Sequence, residues 1–136
     1  MKKLLFILIP ALILFSCSDD DMLESESSDI LGEWQLVEFY IDPGDGSGEY
    51  MPVDADITIN FVTNGQVTSN KTFCSMGNYE SGHFSSTYIA SENRIEVEED
   101  CSGFNNYSLS YELGLDGKLY IYHPCIEGCG EKYVRP

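Results

Sequence analysis

The chain has 136 residues, 23 of them acidic and 7 basic, for a net charge of −16. That excess argues against nucleic acid as a partner, because binding it depends on neutralising phosphates with Lys and Arg. The same field holds copies of the chain apart, so a monomer is expected, and the length suits one domain with one core.

In chain order, Lys2 and Lys3 precede an uncharged run of 12 residues, Leu4 to Phe15, which breaks at Ser16-Cys17-Ser18-Asp19-Asp20-Asp21. This is the layout of a secretory signal peptide over residues 1–16, too short to span a bilayer and followed by no stop-transfer segment. Leu14-Phe15-Ser16-Cys17 resembles a bacterial lipobox, which implies cleavage before Cys17 and acylation of it by a fatty acid such as palmitate. Ser18-Asp19-Asp20-Asp21 resembles the export signal of outer-membrane lipoproteins of the Bacteroidota. That implies a lipid anchor in the outer membrane with the chain on the cell surface. A periplasm-facing anchor remains the alternative.

Removing residues 1–16 takes away Lys2 and Lys3 and no acid, leaving 5 basic against 23 acidic residues. Residues 17–28 are almost all Ser, Asp and Glu, a composition that cannot bury enough surface to order itself. They read as an acidic tether reaching on the order of 40 Å when extended. The folded domain is then 29–136.

Within it the apolar period is two. Ile57, Ile59 and Phe61 alternate with polar neighbours, as do Ile95 and Val97, and Tyr107, Leu109, Tyr111 and Leu113. Strands are predicted near 33–40, 57–62, 66–72, 78–84, 86–90, 94–98, 107–113, 118–123 and 131–135. Asn64-Gly65, Ser91-Glu92-Asn93, Asp116-Gly117 and Glu127-Gly128 separate them as turns. No long amphipathic helix is expected, only a turn at 28–31. Eight or nine short strands with hairpin-length links predict an all-β fold, a small antiparallel up-and-down barrel of about eight strands.

Four cysteines remain in the exported domain: Cys74, Cys101, Cys125 and Cys129. An even number there reads as two disulfides, and four cysteines allow three pairings. The hairpin through Pro124–Gly128 brings Cys125 and Cys129 into range, which leaves Cys74 with Cys101. Closing that longer loop stabilises by about 3.5 kcal/mol on entropic grounds. A zinc set drawn from these cysteines with His83 and His123 is the alternative, but it lacks two CxxC knuckles.

Gly32-Glu33-Trp34 opens the first strand, with Ile30-Leu31 before it and Leu36-Val37 after it. With the Asp42–Gly48 loop, the Asn64-Gly65 hairpin and the closing Cys125–Cys129 segment, it resembles the lipocalin-like domain of Bacteroidota lipoproteins. The resemblance implies a calycin-type barrel floored by Trp34 and a non-catalytic ligand-binding role. The short strands leave room for one small ligand, or for none if side chains fill the interior.

Candidate ligand contacts are aromatic: Trp34, Tyr107, Tyr111, Tyr120 and Tyr122. Trp34 reads first as a core plug. Tyr107 and Tyr111 share a face with Leu109 and Leu113, whereas Tyr120 and Tyr122 lie opposite Leu119 and Ile121; either pair is a candidate for the barrel mouth. Asp42, Asp45, Ser47 and Glu49 carry calcium-type oxygens at a spacing that fails the EF-hand pattern. Glu96, Glu98, Glu99 and Asp100 form an acidic run in which Glu96 and Glu98 share the wet face of a strand, a simpler reading than a glycosidase pair. With no catalytic, metal or cofactor motif, the sequence predicts a non-enzymatic lipid-anchored binding protein for a small apolar or amphipathic molecule. The alternative is a protein-interaction or inhibitor module whose barrel is filled.

Overall fold

The computed structural model describes residues 29–77 and 81–136. The signal segment, Cys17 and the tether lie outside them, as do the first residues of the expected 78–84 strand. Nine strands follow in order: β1 Gly32–Ile41, β2 Glu49–Pro52, β3 Thr58–Phe61, β4 Gln66–Lys71, β5 Ser81–Ile89, β6 Arg94–Glu96, β7 Ser108–Leu113, β8 Leu119–Tyr122 and β9 Cys129–Val134. From β3 onward each pairs antiparallel with the next. β9 then returns to β1, from Gln35 opposite Val134 to Ile41 opposite Cys129, while the start of β1 pairs with β3. Eight strands thus close an antiparallel barrel, as the alternating pattern predicts.

Two elements differ from the sequence expectation. The strands expected at 78–84 and 86–90 are one strand, β5, running through Ser85-Ser86. Ser86 points inward, fully buried, and its hydroxyl accepts the Glu98 N–H at 3.3 Å, so the serine pair does not break the ladder. β2 lies where a loop was expected; among the described residues it pairs only with β1. Pro52 is tolerated because the strand is at an edge.

Alternating strands sort the connections into two ends. Residues 62–65, 90–93 and 114–118 are tight reversals, with Gly65 at φ +79° and Asn93 at φ 49°. The links at 42–48, 97–107 and 123–128, and the one starting at Thr72, are longer and lie at the opposite end. The chain enters β1 from Asp29 at the tight-turn end.

That end is sealed by a clasp. Trp34 is buried, and its indole N–H donates to the Ile30 carbonyl at 2.7 Å. The Arg135 guanidinium lies 3.9 Å from the Trp34 ring and donates to the Leu31 and Asp29 carbonyls, each at 2.6 Å. Gly32, at φ +100°, leaves the space this needs: a Cβ there would sit 2.9 Å from Arg135 Nη1. The Gly-Glu-Trp sequence therefore has a mechanical reason. Above the clasp, Phe61 packs edge-on against Tyr88 at 5.1 Å and Tyr111 at 5.5 Å. Leu36, Ile59, Val67, Ile95, Leu109, Leu119 and Ile121 complete a core in which each is at most 2% exposed.

Candidate functional site

The upper half of the interior is polar. Lys71 belongs to the same alternating set as Val67 and Ser69 on β4, and Glu131 to that of Tyr133 on β9. Both side chains are almost wholly buried, and Lys71 Nζ stands 2.6 Å from Glu131 Oε1. On the other carboxylate oxygen, the Tyr133 hydroxyl donates at 2.8 Å and His123 Nε2 lies at 3.3 Å. His123 Nδ1 is 3.4 Å from the Tyr107 hydroxyl, and Lys71 also donates to the Ser75 carbonyl at 3.3 Å. Burial alone would raise the Glu131 carboxyl. The hydrogen bond from His123 and the charge of Lys71 outweigh it and hold the group at about 2. A carboxylate faced by Lys71, His123 and Tyr133 and closed to solvent ties β4 and β9 to the residue that follows β8.

A lid covers this network. Phe73 is buried beneath the loop end, and its N–H donates to Glu99 Oε2 at 2.7 Å. The Thr72 hydroxyl donates to Glu99 Oε1 at 2.6 Å. The disulfide Cys74–Cys101, with Cα atoms 5.1 Å apart, staples the same two segments. Glu99 is thus a bridge between loops, while Glu96 and Glu98 are exposed as the wet face predicts. The second disulfide, Cys125–Cys129, spans the β8–β9 link at 6.0 Å between Cα atoms. Both pairings are those expected from the hairpin argument.

The aromatic candidates divide. Trp34 and Tyr111 are core, Tyr107 is half-buried beside His123, and Tyr120 and Tyr122 face outward, away from the interior. That last pair therefore does not line the barrel mouth; period-two alternation on β8 gives the inside to Leu119 and Ile121. Outside, Tyr50 meets Tyr40 at 5.2 Å and Tyr120 at 6.1 Å, and Lys132 Nζ lies 3.9 Å from the Tyr50 ring while paired with Glu38. A bulge after Leu36 makes this possible, turning Glu38 and Tyr40 outward. Burial pushes the Tyr50 and Tyr111 hydroxyls up to about 12.

The glycine-aspartate loop is self-satisfied. Asp42 accepts from the N–H groups of Gly44 at 2.7 Å and Gly46 at 3.2 Å, and Asp45 accepts from the Ser47 hydroxyl and from the Ser47 N–H at 3.0 Å. These bonds lower both carboxyls. Asp42 and Asp45, whose oxygens are of the calcium-binding type, serve their own turns. Among the described residues no three His, Cys, Asp or Glu side chains converge on a common metal position. His83 is exposed and His123 is committed to the interior.

Lys71 and Glu131 were absent from the sequence-predicted set, and His123 entered it only through the alternative zinc set. The signal that finds them is the register itself, since each falls on the inward parity of its strand. A depression of about 470 Å³ lies on the outer wall, against Thr87, Glu96, Glu98 and Ser108. No family model, curated protein or solved structure matches this chain.

Proposed function

We propose that this chain is a lipocalin-like lipoprotein, anchored in the outer membrane through acylated Cys17 and displayed on the cell surface. Its barrel is a non-catalytic, monomeric interaction module that presents loops to a macromolecular partner. One observation carries the choice over a small-ligand carrier: the inward side chains pack from the Trp34 clasp through the Lys71–Glu131–His123 network to the Phe73 lid. An eight-stranded barrel of short strands is filled by such a set. The paired disulfides suit an exported domain, and the acidic tether suits a solvated spacer.

The test is native mass spectrometry of full-length protein extracted from its host membranes in mild detergent. Acyl mass on Cys17 with no further adduct is expected. A retained small molecule at stoichiometric occupancy would restore the carrier reading. An unacylated Cys17 would remove the anchor.

A further inference from the structure

We infer that the loop end of the barrel, opposite the tether, is a docking surface for a basic polypeptide, contacted through the side chains of Phe104 and Ile126. The inference rests on the interaction reading above and names the face and the kind of partner.

Topology supplies the orientation. The described chain enters β1 from Asp29, where Arg135 holds the Asp29 and Leu31 carbonyls, so on the anchoring proposed above the preceding residues join the barrel at its tight-turn end. The loop end is the opposite end of the barrel. This end is also held in shape: Cys74–Cys101 and Cys125–Cys129 staple its loops, Glu99 bridges two of them, and the Asp42 N–H donates to the Gly128 carbonyl at 3.0 Å. A surface fixed before contact loses less entropy on binding.

Two large apolar side chains project from it. Phe104 is 66% exposed and Ile126 is 95% exposed. Neither belongs to the core: Ile126 lies within the Cys125–Cys129 loop, and Phe104 follows Cys101 by three residues, with one edge of its ring on Tyr107 at 5.8 Å. Around them, the described loop residues carry Asp42, Asp45, Glu98, Glu99, Asp100 and Glu127 and no Lys or Arg. The described basic residues lie elsewhere. Arg94, Lys118 and Arg135 belong to the tight-turn end, Lys132 to the outer wall and Lys71 to the interior. Apolar anchors within an acidic rim suit a partner with apolar recesses in a basic surface; the rim sets approach and specificity, the anchors set residence. A second copy of the chain would bring like charge to the same face.

The experiment is selection of a displayed random dodecapeptide library on the full-length protein in detergent micelles. Enriched peptides should combine several Lys or Arg with an aromatic or aliphatic residue. Their binding should fall about tenfold or more in Phe104→Ser/Ile126→Ser, and weaken as salt rises. It should persist in Leu115→Ser, which removes a fully exposed apolar residue at the other end. Peptides whose binding ignores the loop tips but falls in Tyr120→Ala would overturn this inference and leave the interaction reading standing. If neutral bilayer vesicles bind through the same two side chains, the surface is a membrane contact and the inference is wrong. No enrichment at all would count against both.

Discussion

Glu131 is the residue on which the interior turns. It puts a negative charge in the core and is kept ionised by Lys71, His123 and Tyr133. Removing one partner of a buried pair leaves the other uncompensated, so Glu131→Gln should cost about 3–5 kcal/mol in urea unfolding. Lys71→Met/Glu131→Leu together should recover most of it, because both charges go at once. The pH dependence has a definite sign. Glu131 titrates lower folded than unfolded, so its stabilisation is complete above about 4.5 and is lost as pH falls toward about 2. The gap between wild type and Glu131→Gln should close across that window; a constant gap would refute the ion pair as its source. At the clasp, Gly32→Ala should cost about 1–3 kcal/mol through the positive φ and the crowding of Arg135. The polar interior was hidden because lysine and glutamate ordinarily mark the wet face of a strand. Only parity with Val67 and Tyr133 reveals them.

At the scale of elements, alternation made most strands legible. Thr58–Phe61, Ser108–Leu113 and Leu119–Tyr122 fall within the predicted segments, since one buried face imposes a strict period. β2 was not legible: four residues ending in proline, held by one neighbour, carry no such pattern. The join of β5 through Ser85-Ser86 was missed for a related reason, because small polar residues mimic a turn while lining a crowded interior. The lid is the element that most needs its disulfide. Cys74→Ser/Cys101→Ser frees a long loop and should lower the stability by about 3.5 kcal/mol, on the order of 15 °C in Tm. Cys125→Ser/Cys129→Ser, closing only a short loop, should lower it less. Equal losses in calorimetry would contradict the loop-closure account.

For the whole molecule, the two ends of the barrel have different work. At the tight-turn end Arg135, next to the last residue, holds the carbonyls of Asp29 and Leu31 ahead of β1; the loop end carries both disulfides and the exposed side chains of Phe104 and Ile126. The aromatic contacts a carrier would need are spent elsewhere, Trp34 and Tyr111 in the core and Tyr120 and Tyr122 on the outer wall. On the interaction reading proposed above, the outer surface of the barrel is its working part. The central claim, a closed interior, is open to one direct measurement because the chain has a single tryptophan, at its floor. Titrating the folded protein with an environment-sensitive fatty-acid analogue while recording Trp34 emission should give no saturable quenching or energy transfer. A saturable, stoichiometric change in Trp34 emission would contradict the account, since it would put a ligand where these side chains are packed.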